Sequence, residues 1–539
     1  MNKNPLLVLE TFGQSIWLDF LRRNALDNGE IQGLIDQDGV SGLTSNPSIF
    51  EKAIAGSHDY DNSIRSMSLE GKSIDEIYRA LTVKDIQHAA DLFRPTYDRS
   101  EGGDGFVSLE VSPKLAHDIA GTITEARHLW TAVNRPNLLI KVPGTREGLP
   151  AIQQLIGEGI NVNVTLLFGL PSYRDVAEAY LVGLETLAAQ GKPLNRIASV
   201  ASFFLSRIDV LIDPRLEILR LKGGPVAEIV AGLHGQVAIA SAKVAYQLYQ
   251  EVFGSERFQK LSHQGAHSQR LLWASTSTKD PAYSDVKYVE TLIGRETINT
   301  IPLETLNAYR DHGKPASRLE EGAQEAYRIL EGLHQAGIDL DAATQELEDD
   351  GVMKFSQAFE KLMAALQEKR TASLNDKQPW EYTCKTCDGH KLTVTHVWSI
   401  LAGPDSESWQ EWGPLEADHL WHFDFKEKVK KEEDDDNEED EDDEVERGDF
   451  GEFAEDDSDS EPEEYETFEP EGDPESDEFY VNCANCDREI EFGWSEPDRG
   501  GRIFPVECSD FIPGQCWPEP RYWDSWQQKH WLPRGKSKS

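Results

Sequence analysis

The chain has 539 residues, with 97 acidic against 53 basic side chains and a formal net charge of −44. That excess repels phosphate backbones and argues against nucleic acid as a partner, and no run of about 18 apolar residues is present to form a membrane-spanning helix. All six cysteines fall after residue 380, so the first 370 residues carry no disulfide, as expected of a cytoplasmic protein.

Apolar runs of strand length recur in order: SIWLDF at 15–20, GVSGLTSNP at 39–47, FVSLEV at 106–111, LLIKVP at 138–143, NVNVTLLF at 161–168, IASVASFF at 197–204, RLLWAST at 270–276 and TINTIP at 297–302. Stretches of helical period, such as 114–133 and 149–158, lie between them. Eight alternations of strand and helix predict a parallel sheet closed into a (β/α)8 TIM barrel, an α/β fold.

One polar residue sits near the end of most of these strands: Asp19, Asn46, Glu110, Lys141, Thr165, Ser202 and Ser275. In a barrel of this kind the C-terminal strand ends surround the active site. Lys141 stands between Ile140 and Val142 in a strand expected to be buried on both faces, where a charge needs a partner or a purpose. The bland alternative is an edge-strand lysine that snorkels to water. The seven polar strand ends together favour a site.

With these residues in place, the sequence resembles a transaldolase of the longer bacterial type across roughly residues 1–370. The resemblance rests on five ordered motifs: GLTSNPSIF at 42–50, VSLEVSP at 107–113, LLIKVPGT at 138–145, NVTLLF at 163–168 and SFFLSR at 202–207. It implies a barrel of class I aldolase type and a transferase of carbohydrate metabolism in which Lys141 forms a Schiff base with a ketose phosphate. A free lysine of pKa about 10.4 is almost entirely charged at neutral pH, so apolar neighbours that disfavour the ammonium are expected to help it attack. Glu110 is expected to shuttle protons through a water oriented by Thr165, and Asp19 to take the sugar hydroxyl proton.

By the same resemblance Asn46 and Ser202 hold hydroxyls of the bound three-carbon unit, and Arg207 binds the substrate phosphate. Ser275 matches a second phosphate-site serine. Where relatives carry a second arginine, this chain reads WASTSTKD at 273–280, so Lys279 either replaces it in a longer loop or is a solvated lysine. The expected substrates are sedoheptulose 7-phosphate and glyceraldehyde 3-phosphate, exchanged with erythrose 4-phosphate and fructose 6-phosphate in the pentose phosphate pathway. No cofactor is expected for catalysis, because the lysine serves as the electron sink. Two alternatives compete: a fructose 6-phosphate aldolase on the same barrel, against which Glu110 and Phe204 speak, and a decayed barrel whose C-terminal region acts in binding.

Composition changes near residue 375. A linker is expected at 371–381, followed by two similar CxxC segments, at 382–430 with Cys384 and Cys387 and at 479–539 with Cys483 and Cys486. Paired CxxC knuckles followed by strand patterns are expected to form a zinc-ribbon-like module holding structural zinc. Cys508 and Cys516 are alternative ligands to the first pair. Between the two segments, 431–478 contains 29 acidic residues and two basic ones. Such a stretch cannot bury enough apolar surface to order itself, and is expected to be a disordered insertion that solvates or docks a protein partner.

Overall fold

The structure, a computed structural model, describes residues 4–375 and, beyond them, seven short strands between Trp380 and Glu507. Two compact units divide the chain after Leu374. In the first, eight parallel strands close into a barrel: β1 (Gln14–Leu18), β2 (Val40–Thr44), β3 (Val107–Glu110), β4 (Leu138–Pro143), β5 (Val162–Leu167), β6 (Ser199–Phe204), β7 (Arg270–Ala274) and β8 (Thr297–Ile301). Each pairs with the next, and β8 returns to β1 with Gln14 opposite Thr297. The predicted TIM barrel is therefore present. Continuous apolar runs produce it because every residue of β4, β5, β6 and β8 is buried, between the barrel interior and the surrounding helices.

Two element ends differ from the sequence reading. The second strand stops at Thr44 rather than reaching Pro47, because Pro47 opens the helix Pro47–Ala55 and Asn46 caps it, accepting from the Ile49 amide at 3.0 Å. The helix expected from residue 114 begins at Ile119 after a short 3-10 turn, with Asp118 as its cap accepting from Gly121 N at 2.9 Å.

The N-terminal face of the barrel is tied by a carboxylate. Asp104 accepts from Trp17 Nε1 at 2.7 Å, from Ser41 Oγ at 3.0 Å and from Ser15 Oγ. Arg270 completes the cluster, donating to Ser15 Oγ at 2.7 Å. Four strands or their flanks meet there, so the cluster joins β1, β2 and β7 to the turn before β3.

The long helix Leu340–Asn375 runs past residue 370 and packs on the barrel. Leu362 and Leu366 are fully buried, Lys369 donates to Ser57 O at 2.9 Å, and Arg370 donates to Lys72 O at 3.2 Å. Gly351 faces Leu166 so closely that an added Cβ would sit 3.0 Å from its Cδ2. That lets the helix lie against the C-terminal end of β5.

In the second unit, β9 (Trp380–Thr383), β10 (Lys391–Val394) and β11 (Leu415–Ala417) form an antiparallel sheet with β10 in the centre. A second antiparallel sheet is ordered β12 (Trp421–Phe425), β13 (Phe479–Cys483), β14 (Arg488–Trp494) and β15 (Ile503–Glu507). Cys483 ends β13 opposite Trp421 and Arg488. Cys384, Cys387, Cys486, Cys508, Cys516 and the acidic stretch 431–478 lie outside the described residues. Among the described residues no cluster of metal-binding side chains occurs and no helix is long and apolar enough to cross a membrane.

Candidate active site

Parallel register sets the first feature of the site. Lys141 of β4 lies level with Glu110 of β3 and Asn163 of β5. Lys141 Nζ is 3.1 Å from Glu110 Oε2 and donates to the Ser45 carbonyl at 3.0 Å. Both charged side chains are almost fully buried, at 6% and 4% exposure. A buried pair of this kind survives because each charge answers the other. Burial pushes the Glu110 carboxyl above the usual carboxylate range, and Lys141 opposes that shift.

Asp19 follows β1 and receives a 2.7 Å hydrogen bond from Thr44 Oγ1, which itself lies 2.7 Å from Thr300 Oγ1. Its carboxyl is also raised by burial, with Lys141 and the Thr44 hydrogen bond pulling it back. Thr165 is aimed inward by an irregularity. The register of β5 against β6 shifts between Val164 and Leu167, and Leu166 adopts a φ of 63°, left-handed backbone that a leucine rarely takes. Thr165 Oγ1 is buried without a hydrogen-bond partner among the described residues.

Ser202 donates to Asn163 Oδ1 at 2.7 Å, and Asn163 in turn donates to Ser108 Oγ at 3.0 Å. Asn46 uses its carbonyl oxygen as the helix cap described above, which leaves its amide hydrogens for a ligand. Arg207 opens the helix Ser206–Lys222; its guanidinium lies 5.5 Å from the Phe204 ring centre and 6.0 Å from that of Phe355. It forms no ion pair among the described residues, and its Nη1 is buried without a partner. Aromatic flanks thus hold the cation while leaving its donors for an anion. Ser275, at a φ of 54°, lies with its hydroxyl 3.0 Å from Ser206 Oγ. Lys279 is exposed and donates to Ser277 Oγ at 2.7 Å.

Asp19, Asn46, Lys141, Thr165, Ser202, Arg207, Ser275 and Lys279 all border one cavity of about 590 Å³. Glu110 is set apart from them. It lies behind Lys141 and lines a second cavity of about 280 Å³ with Tyr78, Arg79 and Glu125. Sequence reasoning missed several groups on the larger cavity: Thr44 and Thr300, the exposed Lys52, and Phe355 from the C-terminal helix. Thr44 lies within a motif already singled out, whereas nothing local marks Phe355.

Residues 16–366 match the transaldolase/fructose-6-phosphate aldolase family. The chain belongs to this family. A transaldolase 2 from Nostoc sp. is 48% identical over 371 residues, spanning 68% of this chain and 97% of the relative. A transaldolase from Trichodesmium erythraeum is 48% identical over 373 residues, 68% of this chain and 98% of the relative. One from Saccharopolyspora erythraea is 48% identical over 365 residues, 68% of this chain and 97% of the relative. These transaldolases are matched over nearly their whole length by the barrel unit, so the second unit lies beyond what the family match covers.

Proposed function

We propose that the protein is a transaldolase acting on sugar phosphates, and that the Lys141–Glu110 pair beside Asp19 carries the reaction. The geometry supporting this reading is a buried amine 3.1 Å from a carboxylate on the wall of a cavity that also presents an unpaired arginine. Neutral Lys141 attacks the ketone carbon of the donor. Glu110, working through a water held by Thr165, protonates the carbinolamine hydroxyl, which leaves as water to give an iminium. Asp19 takes the proton from the hydroxyl two carbons away, the carbon-carbon bond breaks, and its electrons pass into the iminium to form an enamine.

The aldose phosphate departs while the three-carbon unit stays on Lys141. Asn46 and Ser202 hold its hydroxyls, and Arg207 with Ser275 and Lys279 binds the phosphate of each sugar in turn. Attack of the enamine on an acceptor aldehyde reverses the sequence. The donor and acceptor pair is sedoheptulose 7-phosphate with glyceraldehyde 3-phosphate, yielding erythrose 4-phosphate and fructose 6-phosphate, in the cytoplasm. The test is intact mass after borohydride treatment with fructose 6-phosphate: a trapped dihydroxyacetone adduct on the natural chain and none on Lys141→Ala supports this reading, and no adduct on either refutes it.

For the second unit we propose a structural zinc site. The antiparallel pair β9 and β10 is joined by the segment containing Cys384 and Cys387, and the pair β13 and β14 by the segment containing Cys486, with Cys483 at the last position of β13. Two cysteines at the joint of a β-hairpin are the donor arrangement of a zinc knuckle. Metal content of the purified chain, compared with a Cys384→Ser and Cys387→Ser variant, tests it; equal zinc in both would remove the first pair from the ligand set.

A further inference from the structure

Among the described residues bordering the larger cavity, Phe355 alone comes from the helix Leu340–Asn375. Its side chain is buried, at 4% exposure. The ring centre lies 6.0 Å from Lys141 Nζ and 6.0 Å from the guanidinium carbon of Arg207. An apolar face thus stands between the nitrogen that would carry the three-carbon unit and the cation that would hold phosphate. Its placement is well determined. Gly351, one helical turn earlier on the same face, allows close approach to Leu166, and Phe359, one turn later, packs edge-on against Tyr78 with ring centres 5.3 Å apart.

We infer that Phe355 sets how the Lys141-bound three-carbon unit divides between transfer to an acceptor and loss to water. The inference rests on the Schiff-base reading above. Once the first aldose phosphate has left, the enamine has two fates. It can attack an aldehyde carbon, forming a carbon-carbon bond while the carbonyl oxygen takes up a proton. Or its carbon can take up a proton to give the iminium; water then adds to the carbon of the C=N bond, the C–N bond breaks with return of a proton to nitrogen, and free dihydroxyacetone and the lysine amine result.

The two routes differ in their need for water at the iminium. A buried ring beside Lys141 fills space that water would otherwise occupy, and its π face stabilises the cationic iminium that precedes hydrolysis. Removing the ring therefore favours release over transfer. Phe204, which flanks Arg207 from the other side, leaves this face of Lys141 to Phe355.

The experiment uses the full chain and two variants, Phe355→Leu and Phe355→Ala. Fructose 6-phosphate is supplied alone, to read free dihydroxyacetone, and with erythrose 4-phosphate, to read transfer. The ratio of release to transfer is expected to rise by about tenfold or more in Phe355→Ala, and by less in Phe355→Leu, which keeps apolar bulk and protects the fold. An unchanged ratio in both variants, with the borohydride adduct still formed, overturns the inference and leaves the transaldolase reading standing. Absence of an adduct on the natural chain overturns that reading itself.

Discussion

Thr44 Oγ1 donates a 2.7 Å hydrogen bond to Asp19, across the gap between the ends of β1 and β2. The bond favours the carboxylate and so works against burial, which raises the Asp19 pKa above its ordinary value. A general base must be ionised to act, so activity is lost as pH falls through the folded-state pKa. Thr44→Val removes the bond and moves that pKa further upward. The acid limb of kcat/KM is expected to shift to higher pH in this variant; a limb that stays in place or moves to lower pH would show that another group sets it.

Glu110 is the proton donor to the carbinolamine in this scheme, raised in pKa by burial and touching Lys141. Glu110→Gln keeps the volume and removes the proton transfer. kcat is expected to fall by about 10²- to 10⁴-fold with KM little altered. Borohydride trapping should become slow rather than impossible, since Lys141 remains. Rate constants for adduct formation by mass spectrometry measure this directly.

Arg207 offers two-pronged recognition of a phosphate from between Phe204 and Phe355. Arg207→Lys keeps the charge but loses the fork and the stacking. Charged hydrogen bonds contribute about 1.5–3 kcal/mol each, so KM for fructose 6-phosphate is expected to rise on the order of tenfold to a hundredfold. Cleavage of unphosphorylated fructose should change little, and an equal loss for both sugars would place the phosphate elsewhere.

At the opposite face, Asp104 accepts from Ser15, Ser41 and Trp17. Asp104→Ala strands these donors and leaves Arg270 beside no carboxylate. Thermal unfolding should show a loss of about 2–4 kcal/mol. The enzyme should keep its KM at temperatures where it is folded, since no substrate-site residue is touched.

The barrel unit ends with the helix at Asn375, and the matched transaldolases are nearly fully covered by about that length. A chain cut after Asn375 keeps the Lys369 and Arg370 anchors and is expected to retain kcat and KM. A loss of activity on the order of tenfold would mean that the second unit contributes more than about 1.4 kcal/mol to the barrel's transition state.

Sequence period determined the architecture of the first unit. Apolar runs of four to eight residues cannot form helices long enough to cover a core, and their alternation with helical stretches leaves a closed parallel sheet as the economical solution. Side-chain alternation along a strand also determined that Lys141 is a barrel residue, and the motif order marked the strand-end groups to examine. What local pattern did not contain is which groups become neighbours across the barrel. The hydrogen bond from Thr44 to Asp19 spans 25 positions and the contact of Thr44 with Thr300 spans 256, so both exist only once β8 has closed on β1. The diversion of Asn46's oxygen to a helix cap, the opening of Glu110 onto a cavity separate from the other groups, and the irregularity at Leu166 that turns Thr165 inward are likewise products of packing. Phe355 is the clearest case: as a sequence position it is one apolar residue in an amphipathic helix, and only the approach permitted at Gly351 places its ring beside Lys141. Short-range physics specified the strands and the row of polar ends, whereas the chemistry of the site depends on contacts that loop closure over hundreds of residues brings together.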